Sequence, residues 1–458
     1  MYSIDKLLVP SIKSRSVTAG TLVAKPEKIT RIMPSSVNSV SICPSEIIIH
    51  GRGEEEVRQG ENYTEMLSLL FGGLVPECSF EFYSPAVKYR GFHLDCVRYF
   101  FSVRELKRII KAFALTGFNY FHFHLTDDQG WRFPVEGYDR LETISSKRFR
   151  YENDDMEHVV GGFYSLDDLR EIEEYCRSLG ITVIPEIETP GHAEALIAAY
   201  PEMGCTGREI PVQSNWGVFE NVMNPASDAL WTFLDRAVAA LASVFHGEYI
   251  HIGGDECPHV QWKENRECLA LMKREGIDNV DDLQGWFTTK MAGIVRKYGK
   301  RAVGWDEVVD AEGVDRSVVV MSWRGLEGAE KATERDHEVI LCPQTEGCYL
   351  DRYPSRDDWE KGNLSVCTPR DIFDLDISMK ELAAEKRPLV LGAQCNLWCE
   401  KIDSGREAEM MLFPRAFLLA ENLWRGDEKN WEEIKAKRKA LYDLCFHLNL
   451  VCSPLEWE

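Results

Sequence analysis

From Tyr89 onward, eight short apolar runs recur along the chain, and longer stretches with helical periodicity lie between most of them. The runs are Arg90–Cys96, Tyr120–Leu125, Ile181–Ile187, Tyr249–Gly253, Ala302–Trp305, Val318–Trp323, Val339–Cys342 and Leu389–Gln394. They are rich in β-branched and aromatic residues, as strands buried on both faces must be. Ser102–Thr116, Leu166–Leu179, Ala226–Phe245 and Leu283–Tyr298 carry the apolar spacing of covering helices. Eight such units in about 320 residues predict an α/β chain folded as a (β/α)8 TIM barrel. An open doubly wound sheet would need a glycine-rich turn after its first strand, and Leu94-Asp95-Cys96-Val97-Arg98 is no such turn.

Residues 1–86 lack this alternation. Rich in Ser, Val, Ile and Pro, they offer a strand at Glu46–His50 and an amphipathic stretch at Tyr63–Phe71. They read as a small α+β accessory domain ahead of a catalytic barrel at 87–458 that ends in a helix. The formal charge of −22 would repel a phosphate backbone, which argues against a nucleic-acid partner. No run of about 18 apolar residues exists, so no membrane span is expected. Met1–Lys6 lacks the apolar core of a secretory signal, and the 14 cysteines follow no CxxC or regular spacing. Reduced thiols in a cytoplasmic protein are the expectation.

In such a barrel the chemistry sits where the strands finish. Here those ends carry one kind of equipment: Asp95 and Arg98; His124, Asp127 and Asp128; Glu186, Glu188 and His192; Asp255 and Glu256. Trp305-Asp306-Glu307, Trp323-Arg324, Tyr349 with Asp351, and Trp398 with Glu400 complete the ring. Indoles cover the C–H faces of a pyranose, and carboxylates and arginine bond its hydroxyls. A single tryptophan at a strand end is usually plain core. Three at three different ends describe a sugar pocket.

The sharpest signal is His251-Ile252-Gly253-Gly254-Asp255-Glu256. Two glycines permit a sharp turn or a close approach, and two acids follow at once. Neighbouring buried carboxylates repel, so one should keep its proton near neutrality and can act as a general acid. Yet a retaining glycosidase ordinarily sets two carboxyls ~5 Å apart on opposite sides of the anomeric carbon. Consecutive residues cannot easily flank a sugar. The chemistry closes if the substrate's own 2-acetamido oxygen is the nucleophile, forming an oxazolinium ion. One acid then protonates the leaving oxygen while the other steadies the acetamido nitrogen.

These residues resemble glycoside hydrolase family 20, the β-N-acetylhexosaminidases, which are substrate-assisted exceptions to the two-carboxylate rule. The resemblance spans most of 89–425. It rests on Arg90-Gly91-Phe92-His93-Leu94-Asp95 with Arg98, His122-Phe123-His124-Leu125-Thr126-Asp127-Asp128-Gln129, and Pro185-Glu186-Ile187-Glu188-Thr189-Pro190-Gly191-His192. Gly253-Gly254-Asp255-Glu256, Gly304-Trp305-Asp306-Glu307 and Leu397-Trp398-Cys399-Glu400 continue it. It implies Glu256 as acid then base, Asp255 orienting the acetamido group, and Tyr349 donating to the acetamido oxygen. It implies Trp305, Trp323 and Trp398 as pocket walls, and Arg98, Asp351 and Glu400 on the distal hydroxyls. Asp127 and His192 resemble a pair behind the acid that tunes its proton affinity. The implied substrate is a terminal, non-reducing β-linked N-acetylglucosamine or N-acetylgalactosamine, taken without a cofactor or metal. Glu188 stands where the family often has Asp, and the amino-terminal segment is shorter than the usual accessory domain.

Three rivals share the same residues. A metal-dependent hydrolase could use His122 and His124, which face one side of a strand, with His192 and His251. They lie on the second strand rather than the first, and no lysine ends the fourth. A catalytically dead sugar-binding protein would not need both acids and Tyr349. A disaccharide-releasing or endo-acting relative would need the distal end of the pocket open, where Arg98 and Glu400 argue for a closed one.

Overall fold

The computed structural model describes residues 4–13, 20–150, 159–354, 362–455 and 457. The amino-terminal segment builds a mixed four-stranded sheet from β1 (Ile29–Ile32), β2 (Ser39–Cys43), β3 (Glu46–His50) and β4 (Cys78–Glu81). Its order is β1-β3-β2-β4, with β1 parallel to β3 and the other pairs antiparallel. Helix α1 (Glu54–Leu70) packs on it so closely that a Cβ on Gly60 would lie 2.5 Å from Ile49 Cγ2. The helix starts well before the amphipathic stretch at Tyr63. Three acids, Glu54 to Glu56, favour its amino end, and the Glu56 carboxylate accepts from the Gly53 amide at 3.0 Å. Asn62 then reaches the Ala114 carbonyl (2.9 Å) and Glu55 pairs with buried Arg90, fastening α1 to the barrel.

The barrel strands are β5 (Tyr89–Asp95), β6 (Tyr120–His124), β7 (Thr182–Thr189), β8 (Tyr249–Gly253), β9 (Arg301–Trp305), β10 (Val319–Ser322), β11 (Val339–Leu341) and β12 (Val390–Leu397). Each pairs parallel with its chain neighbours, and β12 returns to β5, closing the eight-stranded (β/α)8 barrel. Two strands outrun the apolar runs that mark them. β7 continues to Thr189, opposite Gly253, and β12 to Leu397, opposite Leu94, because backbone pairing persists after the side chains turn polar. Helices α2 (Val103–Leu115), α3 (Leu166–Ser178), α4 (Asp228–Val244), α5 (Val280–Lys297) and α6 (Leu326–Glu334) lie among the crossovers. Ser102 with Glu105 and Ser165 with Asp168 form capping boxes that start α2 and α3 where the periodicity begins.

Side chains alternate across each strand. Phe92 of β5 faces outward and stacks on Phe113 of α2, ring centroids 3.9 Å apart. His93 beside it faces inward, with His122 and His124 of β6, Glu186 of β7, His251 of β8, and Gln394 and Asn396 of β12, all fully buried. A barrel interior is ordinarily layered with branched apolar residues. This one is polar. All 14 cysteines stand as free thiols, and among the described residues no helix is long and apolar enough to cross a membrane.

After β12 the chain enters α7 (Arg415–Arg425), whose first residue is fully buried. The Arg415 guanidinium donates to the carbonyls of Leu350, Arg352 and Cys367, at 2.5, 3.0 and 2.9 Å, from beneath the loop after β11. Replacing Arg415 with Met should cost roughly 3 kcal/mol, since each buried carbonyl left unpaired costs about 1–3. Denaturant unfolding measures that loss. A change under about 1 kcal/mol would mean the loop holds itself.

Candidate active site

The carboxyl ends of the strands converge on a pocket of about 580 Å³, counted to its open mouth. Its wall holds Arg98, His192, Asp255, Glu256, Trp305, Trp323, Tyr349, Asp351, Trp398 and Glu400. Of the residues to which the resemblance assigns a role, only Asp127 is not in the wall; Asp95, His124, Asp128, Glu186, Glu188, Asp306, Glu307 and Arg324, also at strand ends, lie outside it. Asp127 stands behind, 2.8 Å from the Arg98 guanidinium and 3.4 Å from His192 Nδ1.

The backbone after β8 explains how two consecutive acids reach this wall. Gly253 and Gly254 take φ of 68° and 105°, and Glu256 itself takes 44°. Neither glycine has room for a side chain: a Cβ would lie 1.9 Å from Glu188 Oε2 at Gly253 and 2.4 Å from Val308 Cγ1 at Gly254. The chain therefore bends tightly enough to set Asp255 deep and Glu256 at the mouth, with side chains 12% and 40% exposed. His192, also in the left-handed region at φ 46°, lies against both. Its Nε2 is 3.6 Å from Asp255 and 3.5 Å from Glu256. The sequence paired His192 with Asp127, but its Nδ1 stands nearer Asp128, at 2.9 Å.

The other end of the pocket joins the turn after β5 to segments from late in the chain. Asp95 accepts from the amides of Val97 and Arg98 (2.8 and 3.0 Å), and this turn presents Arg98. The guanidinium then lies 5.1 Å over the Trp398 ring and donates to Gln129 at 2.9 Å. Trp305 donates to Glu186 at 3.0 Å, and Trp323 to Glu307 at 2.8 Å. The Trp323 and Tyr349 rings run nearly parallel, centroids 6.5 Å apart. Asn363 donates to Asp351 at 2.7 Å. One oxygen each of Asp255, Asp351 and Glu400 is buried without a hydrogen-bond partner.

Residues 87–427 match the catalytic domain of glycosyl hydrolase family 20. The chain belongs to that family. A β-hexosaminidase of Porphyromonas gingivalis is 37% identical over 373 residues, covering 81% of this chain and 46% of that protein. One from Vibrio furnissii is 35% identical over 347 residues, covering 74% and 56%. This chain thus spans about half the length of either. The fold is shared with a Vibrio harveyi family 20 exo-β-N-acetylglucosaminidase solved with N-acetylglucosamine, at TM-score 0.86 and 24% identity over 98% of this chain and 78% of that one.

The family 20 pocket has an uneven charge distribution. Burial works against a charged His192, but Asp127, Asp255 and the contact with Asp128 together hold it protonated. Burial pushes Asp255 up to about 6, against His192 and with help from Glu256. The contact with His192 holds Glu256 below the usual carboxylate range. In the free pocket the proton therefore favours the deep acid rather than the one at the mouth. Burial also lifts Glu400 to about 7 and raises Asp351, and it keeps the Tyr349 phenol a donor.

His122 and His124, with His251, meet Glu186 rather than open space. Its oxygens lie 3.0 Å from His122 Nε2 and 2.8 Å from His251 Nδ1. His122, Glu186 and His251 are close enough to share a metal ion, although Glu186 is also taken by the Trp305 indole and by His124. Gln344, Arg352 and Asn363 also line the pocket, and none of them belongs to a motif. Arg352 follows Asp351 directly and was within reach of inspection. Gln344 and Asn363 sit in loops without a motif.

Asp255 has a consequence for stability. An ordinary Asp gives up its proton near 3.8 and this one near 6, so between those values the folded state binds a proton the unfolded state has lost. Stability must fall as pH rises through that window, by roughly 3 kcal/mol in full at 1.36 kcal/mol per unit. Asp255→Asn should therefore melt higher than the parent at pH 8, with the gap closing below pH 4. A variant less stable than the parent at pH 8 would show that Asp255 is not held against its charge.

Proposed function

We propose that the chain is a retaining exo-β-N-acetylhexosaminidase, hydrolysing terminal β-linked N-acetylglucosamine or N-acetylgalactosamine with the substrate's acetamido oxygen as nucleophile. The observation that carries this reading is the placement of Asp255 and Glu256. They lie side by side in one wall, one deep and one at the mouth, where they cannot stand on opposite faces of an anomeric carbon. The indoles of Trp305, Trp323 and Trp398 suit a pyranose. The partnerless oxygens of Asp255, Asp351 and Glu400 suit the N–H and O–H donors an N-acetylhexosamine brings. The related proteins named β-hexosaminidase point the same way.

In the first step the acetamido oxygen attacks C1 as the glycosidic C–O bond breaks. Glu256 gives its proton to the departing oxygen. Asp255 accepts the acetamido N–H and offsets the positive charge of the oxazolinium ion, while the Tyr349 hydroxyl steadies the attacking oxygen. Sugar binding prepares this distribution of charge. It covers the half-exposed Glu256 and strips its water, which raises its proton affinity. It also gives Asp255 an N–H partner that favours its ionised form. The proton held by Asp255 in the free pocket thus passes to Glu256. In the second step water attacks C1, Glu256 takes its proton, and the acetamido group reforms. Two displacements at one carbon leave the β anomer. Arg98, Asp351 and Glu400 hold the far hydroxyls and close that end, which makes the reaction exo.

Hydrolysis of p-nitrophenyl N-acetyl-β-glucosaminide, beside the galactosaminide and the plain β-glucoside, tests the reading. The two acetamido sugars should turn over, the glucoside should be nearly inert, and NMR should detect β product first. Comparable glucoside turnover or α product first would sink it. Glu256→Gln should cost ~10²–10⁴-fold on a disaccharide and much less on an activated aryl glycoside, whose leaving group departs unprotonated. Equal losses on both would remove Glu256 as the acid.

A further inference from the structure

Beneath the pocket floor lies a chain of ionisable groups that the mechanism above leaves unused. Glu186 sits inside the barrel on β7, fully buried. Its Oε1 takes the Trp305 indole N–H at 3.0 Å and stands 2.8 Å from His251, and its Oε2 meets His122 at 3.0 Å and bonds His124 Nδ1. The other nitrogen of His124, Nε2, lies 3.0 Å from Asp127 Oδ2. Arg98 holds the same oxygen at 2.8 Å, while Oδ1 of Asp127 accepts the Asp128 amide at 2.6 Å and lies 3.4 Å from His192 Nδ1, which itself bonds Asp128 at 2.9 Å. The line therefore runs from Trp305 through Glu186, His124, Asp127 and His192 to Glu256.

We propose that Glu186 and His124 are positioning residues for the reaction, fixing Asp127 as the negative charge beside which His192, hydrogen-bonded to Asp128, stays protonated against Glu256. This rests on the hexosaminidase reading. An imidazole with a carboxylate oxygen against each ring nitrogen donates to both only when doubly protonated. The surroundings of His124 favour that cation: Glu186 on β7 with Glu188 at 3.9 Å, Asp127 after its own strand, and Asp95 on β5. Against it stand its burial and the neighbouring imidazoles of His93, His122 and His251, of which burial drives His93 and His122 toward the neutral form. The acids prevail, and His124 is lifted to about 10. The charges thus alternate along the line: Glu186 negative, His124 positive, Asp127 negative, His192 positive. Neutralising one member frees its neighbour to turn, so Glu186, which touches no substrate, acts on Glu256 through three intermediaries.

Nitrogen-15 NMR of histidine-labelled protein, with His124→Asn to assign the signal, tests the protonation without any turnover. His124 should show both ring nitrogens protonated at pH 8 in the parent and lose that signature in Glu186→Gln. Kinetics on N,N′-diacetylchitobiose and the p-nitrophenyl glycoside give the second readout. For Glu186→Gln, kcat on the disaccharide should fall about 10-fold or more with KM within about threefold, and the aryl glycoside should suffer less. Glu186→Asp, which restores the charge, should recover part of the loss. If Glu186→Gln does not fold, His124→Asn carries the same kinetic comparison. A neutral His124 at pH 7, or equal losses on both substrates with no recovery by Asp, overturns the proposal. A parent that cleaves neither substrate overturns the hexosaminidase reading instead and leaves the NMR result standing.

Discussion

A carboxylate shut away from water must be balanced by whatever touches it, and Glu186 at the centre of this barrel imposes that condition on everything around it. Three imidazoles and an indole surround it, two from β6 and one each from β8 and the end of β9. Meeting the demand forces β6 to alternate phenylalanine outward with histidine inward. It also fixes the Trp305 ring, and with it one wall of the pocket. The helices outside see an ordinary apolar barrel. The pocket above sees a floor of oriented hydrogen-bonding groups. One strand serves both because successive side chains point to opposite faces.

The same site carries features that work against folding. Asp255, Glu400 and Glu307 are held where burial penalises their charge, with proton affinities raised to about 6, 7 and 9. His192 and Glu256 adopt left-handed backbone, and oxygens of Asp255, Asp351 and Glu400 lie buried without partners. Such costs cluster where binding a ligand can relieve them. The rest of the barrel tolerates them because α2 and α3 are capped, each barrel strand is paired on both sides, and Arg415 ties the late loop down from below.

Much of this was legible in the sequence, for a physical reason. Strands of a closed parallel barrel are short, apolar and evenly interrupted, so Arg90–Cys96 and its seven successors stand out. Polar residues at their carboxyl ends stand out equally against that background, which is how Trp305, Asp255 and Glu256 could be found. Legibility stopped where contacts are made across the fold. Asp127 and Asp128 are adjacent letters, and only their opposite hydrogen bonding, one toward Arg98 and His124 and the other toward His192, tells them apart. Which of Asp255 and Glu256 keeps the proton was hidden for the same reason. Adjacency predicts that one acid keeps a proton, and only the depth of each and the position of His192 decide which. The start of α1 was hidden because its first turn is acidic rather than apolar, so periodicity alone could not see it.

The order in which the chain builds the pocket also separates two tasks. The groups around the deep and mouth acids come from β6, β7 and β8, between Asp127 and Glu256, and interlock through His192. Tyr349, Asp351, Trp398 and Glu400 come from the loop after β11 and the end of β12. That loop is held by Arg415, through the carbonyls of Leu350, Arg352 and Cys367, and by backbone bonds of Cys348 and Leu350 with Asn396 of β12. Because backbone carbonyls carry the attachment, side chains on the loop can change without loosening it. Gln344, Arg352 and Asn363, which no motif marks, sit on this side of the wall. The pocket therefore has two halves with separate anchors, one interlocked through His192 around Asp255 and Glu256 and one fastened through its backbone by Arg415.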